Sequence, residues 1–166
     1  MTNIQLSFAE LTDLDDIMTV ETSCFTADEA SSRASMLERI EKNADTFIVA
    51  RDMEKNGQVI GMIVGPTSSN RYITDDLFVR SDKNKTSDKF QTVTSLAVLK
   101  EYRKHKIASR LIKKLIEVSK ASNRELISLT CLKFLIPYYE KQGFTNEGRS
   151  ESQLAGEVWY NMTYQL

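Results

Sequence analysis

From Thr94 to Val118 a strand runs into a cation-dense turn and then into an amphipathic helix, and the rest of the chain is organised around that succession. Leu96 and Val98 share one face of the strand and Ala97 and Leu99 the other, with β-branched Thr92, Val93 and Thr94 ahead of them. In the helix, Ile107, Ala108, Leu111, Ile112, Leu115 and Val118 recur at steps of three and four, leaving Arg110, Lys113, Lys114 and Glu117 for solvent. Lys100, Arg103, Lys104, His105 and Lys106 crowd the turn between them. First-turn N–H groups have no intrahelical acceptor, and the helix dipole places partial positive charge there, so the segment predicts an anion site. On the residues alone, a solvated basic turn leading into an ordinary helix is the competing reading.

The rest of the chain supplies strands and helices in a mixed order. Ile4, Leu6 and Phe8 alternate with polar residues and predict a strand. Thr12 or Asp13 caps a helix through about Cys24, with Leu14, Ile17, Met18 and Phe25 toward the core. A second helix starts near Asp28, carries Met36, Leu37 and Ile40, and is weakly amphipathic at its beginning, which predicts a mobile or partly exposed element. Strands follow from about Phe47 to Asp52 and from Val59 to Val64, joined by a turn centred on Asn56-Gly57. Thr67 to Lys89 reads as a long connection or flap around Leu77-Phe78-Val79, either a cover for a binding site or a loop in solvent. A buried strand spans Leu126 to Cys131, a short helix Lys133 to Gln142 has Pro137 close to its first turn and Gly143 just past its end, Phe144 begins the next strand, and a β-rich segment runs from Glu157 to Gln165. The order β-α-α-β-β-β-α-β-α-β-β predicts one α/β domain over 1–166, a central mixed β-sheet flanked by helices.

Composition narrows the function class. A chain of 166 residues with net charge −1 lacks the broad basic excess of a nucleic-acid binder. Cys24 and Cys131 have no partners at metal-ligand spacing and make no disulfide framework, so no metal is expected. The N-terminus does not read as a signal peptide, and no stretch reaches the apolar length needed to span a bilayer. A cytoplasmic protein, monomer or homodimer, is the simplest expectation.

The run L-x-V-x-x-x-Y-R-x-x-x-x-A resembles the acetyl-CoA signature of the GNAT (GCN5-related) N-acetyltransferases, R/Q-x-x-G-x-G/A, with Arg103 first and Ala108 last. Lys106 stands where that signature has its middle glycine. Glycine gives access and a free choice of positive φ, whereas lysine gives charge, so affinity and loop geometry are the open points. A second segment, CLKFLIPYYEKQGF from Cys131, resembles C-x-x-x-L-x-P-x-Y-x-x-x-G-F of the arylalkylamine (serotonin-type) N-acetyltransferases. The two occur in family order, separated by one strand, and imply the GNAT acyl-CoA N-acyltransferase fold.

The resemblance implies transfer of the acetyl group of acetyl-CoA to a primary amine of a small molecule, an arylalkylamine or a polyamine among the candidates. Backbone groups of Leu96, Ala97 and Val98 would line the pantetheine and acetyl carbonyl. Arg103, Lys104, His105, Lys106, Ile107, Ala108 and Ser109 would hold the pyrophosphate. Tyr139 would protonate the departing sulfur. The serotonin-type enzymes carry two histidines where this chain has Thr92 and Thr94, so the base is open among Glu21, Asp28, Glu29 and bulk water. Phe25, Phe78 and Phe90 are candidates for an apolar amine pocket, or simply for the core. A non-catalytic acyl-CoA-binding regulatory module on the same fold is the alternative.

Overall fold

A computed structural model describes residues 2–166. In chain order the elements are β1 (Ile4–Phe8), α1 (Leu14–Cys24), α2 (Arg33–Lys42), β2 (Phe47–Asp52), β3 (Gln58–Val64), the two-residue β4 (Thr67–Ser68), β5 (Phe90–Thr92), β6 (Ser95–Val98), α3 (Ile107–Ala121), β7 (Leu126–Leu132), α4 (Ile136–Lys141), β8 (Thr145–Arg149) and β9 (Trp159–Gln165). The expected mixed α/β architecture is present, with one division that the sequence pattern did not announce. The apolar run expected as one strand is two, β5 and β6, and they belong to different sheets. One sheet has the order β1-β2-β3-β6 and the other β4-β5-β7-β9-β8.

Every pairing in the first sheet is antiparallel. In the second, β5 runs parallel to β7 over three residue pairs, Phe90 with Leu126 through Thr92 with Ser128, and the remaining pairs are antiparallel. Gly65 marks the crossing point. A Cβ there would lie 2.0 Å from the Thr92 carbonyl oxygen, so only glycine lets β3 leave so close to the backbone at which β5 gives way to β6.

β2 and β3 are buried on both faces. Ile48, Ala50, Ile60 and Ile63 meet Ile107, Leu111, Ile112 and Leu115 of α3 on one side. Phe47, Val49, Met62 and Val64 meet Leu14, Ile17 and Val20 of α1 and Met36 and Ile40 of α2 on the other. Strands covered on both faces read as continuous apolar runs, which is the pattern of FIVA and VIGMIV. Truncating a fully buried member such as Leu115 to alanine costs about 2–5 kcal/mol.

One expectation about α2 needs correction. It begins at Arg33 rather than near Asp28, because Ser32 in extended conformation accepts a side-chain hydrogen bond from the Ser35 N–H and sets the N-cap there. The helix is partly exposed, at Arg33, Ala34 and Glu41, while Met36 and Arg39 on its inner face are 0% and 1% exposed.

Candidate active site

The two sheets share a seam and then part. Val93 donates its N–H to the Ser128 carbonyl at 3.0 Å, while the next N–H, of Thr94, turns to Val64 at 2.8 Å in the other sheet. From there β6 pairs only with β3, and β7 only with β9 once β5 has ended. The edge of β6 that faces β7 is an open strand edge inside the molecule. Its backbone groups need partners, and a ligand laid in the cleft can supply them.

Two adjoining cavities fill this split. The outer one, about 520 Å³, is lined by Leu96, Ala97, Val98, Arg103, Lys106, Ala108 and Ser109 from the β6-to-α3 segment, with Tyr138 and Tyr139 opposite. An inner one of about 110 Å³ is bounded by Glu21, Ser95, Thr130 and Cys131, with Phe25, Phe78 and Trp159 as aromatic walls. Leu96, Phe25, Leu135 and Tyr139 line both, so Tyr139 stands at the junction. A third space, about 590 Å³, continues from Lys106 and Ser109 along α3 past Arg110, Lys113 and Lys120.

The strand leads into a 3₁₀ turn, Lys100–His105, and then into α3, whose N-terminus carries no side-chain cap. Lys106 sits at φ 55°, ψ 30°, the left-handed conformation that a glycine would adopt without cost. The lysine therefore preserves the turn geometry, at a cost of about 1–2 kcal/mol, and adds a charge beside the cleft. Arg103 reaches back to the strand: its Nε donates to the Val98 carbonyl at 3.1 Å and its Nη2 lies 3.6 Å from Cys24 Sγ. Cys24 donates to that same carbonyl at 3.4 Å. The Val98 oxygen is thus occupied. Leu99 donates its N–H to the Ile60 carbonyl at 2.8 Å, so in the alternating ladder Ala97 is bonded to Met62, and the Leu96 backbone and the Val98 N–H are what remains for a ligand. Lys104 and His105 are exposed and line none of the three spaces; Ile107 puts its side chain into the core, where it is 1% exposed.

Tyr139 is held by its neighbours' rings, edge-on to Tyr138 at 5.2 Å and to Phe144 at 5.6 Å. Burial pushes its phenol well up, with Cys131 and Tyr138 adding to the effect, and no hydrogen bond opposes the shift. Its proton is therefore held in a mostly apolar surrounding and has no protein acceptor among the described residues.

Of the candidate bases, Glu21 and Glu29 line the inner cavity and Asp28 does not. Thr92 and Thr94 have spent their hydroxyls on backbone: Thr92 Oγ1 donates to Pro66 at 2.6 Å and Thr94 Oγ1 to Val64 at 3.2 Å. Of the aromatic candidates Phe25 and Phe78 reach the inner cavity and Phe90 does not. Trp159 and Ser95 are site residues that sequence reasoning missed. A single tryptophan in a C-terminal strand carries no spacing signal, and Ser95 reads as one more strand residue.

The connection between β4 and β5 lies over the inner cavity. Ser35 Oγ donates to the Val79 carbonyl at 2.7 Å, Arg39 Nη2 to Phe78 at 3.0 Å, and Ser81 gives its N–H to Glu38. At the other end Asp75 accepts from Ser152 Oγ at 2.5 Å and from the Gln153 N–H at 2.9 Å. Phe78 is thereby carried into the wall on a span tied at both sides.

The sequence profile described as the acetyltransferase (GNAT) family matches residues 14–144. No sequence among the curated proteins matches the chain. Among solved structures, the loading GNATL domain of CurA from Lyngbya majuscula superposes with a TM-score of 0.81 at 13% identity, covering 98% of each chain. Ard1 from Thermoplasma volcanium gives 0.76 at 16%, over 98% of this chain and 97% of that one. Arabidopsis thaliana Naa50 in complex with the bisubstrate analogue CoA-Ac-MVNAL gives 0.75 at 15%, over 98% and 99%. At these identities the likeness is one of fold.

Proposed function

The chain belongs to the GNAT acetyltransferase family, and from that premise we propose that it transfers the acetyl group of acetyl-CoA to a primary amine of a small molecule. The observation that carries this reading is the position of Tyr139 between the two cavities, its phenol unpartnered. The outer cavity takes the pantetheine arm, with its amides against the open edge at Leu96 and the Val98 N–H and with Ala97 in the wall. Arg103, Lys106 and the first-turn N–H groups of Ala108 and Ser109 take the pyrophosphate. The acetyl group then lies at the junction, and the acceptor enters from the inner side.

Tyr139 supplies the proton for the leaving sulfur. Its raised phenol would be a poor donor to a solvated thiolate. Next to the same apolar walls, however, the thiolate is destabilised as well, and the proton moves between two groups raised together. Cys131, pushed up to about 11 by burial, shows how this surrounding treats a thiol.

A small acceptor is favoured over a polypeptide by the span over the inner cavity. Tied to α2 on one side and to Ser152 and Gln153 on the other, it holds Phe78 in the wall of a cavity of about 110 Å³, a space of small-molecule size. The test is thiol release from acetyl-CoA with a panel of small amines and free N-terminal peptides, alongside calorimetry with CoA alone. Turnover with a small amine and little with peptides is expected. Preferential turnover of peptides would overturn the small-molecule reading, and CoA binding without turnover on any acceptor would return the protein to a binding module.

A further inference from the structure

Glu21 lies on α1 and is 1% exposed, yet only half of its carboxylate is used. Oε2 accepts from the Ser31 N–H at 2.8 Å and from Ser95 Oγ at 3.4 Å. Oε1 is buried and has no hydrogen-bond partner. It is the one carboxylate among the described residues with such an oxygen, and the side chain lines the inner cavity. An unpaired charged acceptor in an apolar site is costly, and it calls for a donor that the folded chain does not itself provide.

What surrounds Glu21 keeps it in place without satisfying it. Arg39 on α2, also 1% exposed, donates to Ser95 Oγ at 3.3 Å, so guanidinium, hydroxyl and carboxylate form a line ending at the cavity. Phe25, Phe78 and Trp159 wall the same space, and the Trp159 indole has given its N–H to the Leu154 carbonyl at 2.8 Å, leaving an apolar surface inward. The second carboxylate at the cavity, Glu29, is engaged by Thr26, whose Oγ1 donates to Glu29 Oε1 at 2.9 Å.

We propose that Glu21 Oε1 is the acceptor for the substrate's ammonium group and for its proton, and that the aromatic walls select a monoamine with a compact apolar body over a polyamine. The inference rests on the acetyl-transfer reading for its chemistry and on the cavity alone for its recognition.

The protons balance with the groups present at the site. The ammonium gives one proton to Glu21, which passes it to solvent, and the freed lone pair attacks the thioester carbonyl carbon. A C–N bond forms. As the adduct collapses the C–S bond breaks, its electron pair goes to sulfur, and sulfur takes the proton of Tyr139. The nitrogen, still carrying one proton too many for an amide, returns it to the Tyr139 phenolate. One proton has left to solvent and one resides on the CoA thiol.

Burial raises the Glu21 carboxyl from its ordinary value, opposed by the Ser31 N–H, by the charge of Arg39 and by Ser95. A base raised toward neutrality is better matched to an ammonium proton than an ordinary carboxylate. The groups facing it are Arg39, with Glu38 behind, Glu29, Cys131 on β7 and Tyr139 on α4. Cys131 and Tyr139 are both raised, away from an acidic limb.

The experiment compares 2-phenylethylamine, spermidine and a free N-terminal tetrapeptide as acceptors for the parent protein and for Glu21→Gln. 2-Phenylethylamine should have the highest kcat/KM. Glu21→Gln should lower it by about 10²-fold or more and abolish the acidic limb of its pH profile, with CoA affinity by calorimetry unchanged. Parent-like kcat/KM and acidic limb in Glu21→Gln would overturn the assignment, as would a preference for spermidine. Should no amine turn over, the acetyl-transfer reading falls, and saturation-transfer NMR of 2-phenylethylamine on CoA-loaded protein decides the recognition. A signal lost in Glu21→Gln upholds the ammonium site, whereas an equal signal, or none in the parent, overturns it. Glu21→Asp, which keeps the charge but withdraws the oxygen by about one carbon–carbon bond, carries the same comparisons if the glutamine variant does not fold.

Discussion

The N–H of Val93 and the carbonyl of Ser128 form the last hydrogen bond between the parallel strands before they part, at 3.0 Å. Everything proposed here for the cofactor follows from that parting. A parallel pair that ran on would have taken the outward backbone groups of Leu96 and Val98 into a ladder and left no slot for a pantetheine arm. The slot is also why Tyr139, on the helix after β7, can meet a thioester held on β6.

Tyr139→Phe keeps the ring between Tyr138 and Phe144 and removes only the hydroxyl, which has no partner to lose. We expect kcat to fall by about 10²-fold with CoA affinity unchanged and no loss of thermal stability. Tyr138→Phe should be far milder, and it controls for damage to α4. Steady-state thiol release, with chemistry shown to limit the rate, checks both. An unchanged kcat in Tyr139→Phe would assign the proton to water.

Lys106 separates backbone strain from charge. Lys106→Gly relieves the left-handed φ of 55° and should stabilise the ligand-free protein by about 1 kcal/mol, a rise in Tm of roughly 2–4 °C for a chain of this size. The same change removes a cation from the edge of the cleft, so CoA should bind more weakly, and more so at low salt than at high. Lys106→Ala removes the charge without relieving the strain, so it should weaken CoA binding without the rise in Tm. Scanning calorimetry and CoA titrations at two ionic strengths on the three proteins separate the two effects. Equal CoA affinity for all three proteins at both salts would put the lysine in solvent.

The strand–turn–helix unit was legible because its cues are local: a period of two, then cations, then a period near four. The split into two sheets was not, since Thr92, Val93 and Thr94 read as strand residues whichever sheet they join, and only the Gly65–Thr92 approach decides where one pairing stops. The turn residues could be named, yet which of them face the cleft depends on helical phase. That phase turns Ile107 into the core and leaves Lys104 and His105 on the outside. Glu21 could be named as a candidate base, but its priority over Asp28 and Glu29 comes from an unpaired oxygen, a long-range property. Arg39 could not be named at all, because a charge on a helix ordinarily faces water and its burial is a tertiary property.

Glu147 offers a pH test of the tether between the β4–β5 connection and the second sheet. Arg71 Nη2 donates to its Oε2 at 2.7 Å and Tyr72 to its Oε1 at 2.6 Å, while Thr163 donates to Oε2. Arg71, first, and the two hydroxyls hold the carboxyl down at about 2. A carboxyl depressed in the fold stabilises it above its unfolded value of about 4.3, and that contribution fades as pH falls toward the folded value. Glu147→Gln should therefore cost about 0.5–1 kcal/mol at pH 7, limited by the solvent around Arg71, and progressively less as pH drops through that window. Parallel thermal melts from pH 7 down to about 2.5 check the convergence, and a constant gap between the curves would mean the loss is not electrostatic.

Asp75 tests the span over the inner cavity, because its carboxylate holds one end by accepting from Ser152 Oγ and the Gln153 N–H. Asp75 is exposed, so Asp75→Ala should leave global stability within about 0.5 kcal/mol of the parent. The other end stays anchored through Ser35, Arg39 and Glu38. The effect should therefore be local, with faster amide exchange around residues 74–79 and Phe78 less firmly seated in the wall. With that wall loosened, KM for a compact apolar amine should rise several-fold while CoA affinity stays the same, since the outer cavity shares no residue with the span. Discrimination against a free N-terminal peptide should fall in the same variant, because, of the two ties on that side, the one nearer Phe78 is removed, while Arg71 and Tyr72 stay on Glu147. Exchange mass spectrometry and competition between a small amine and a peptide measure the two consequences separately. Faster exchange with unaltered discrimination would mean that something other than the span excludes polypeptides.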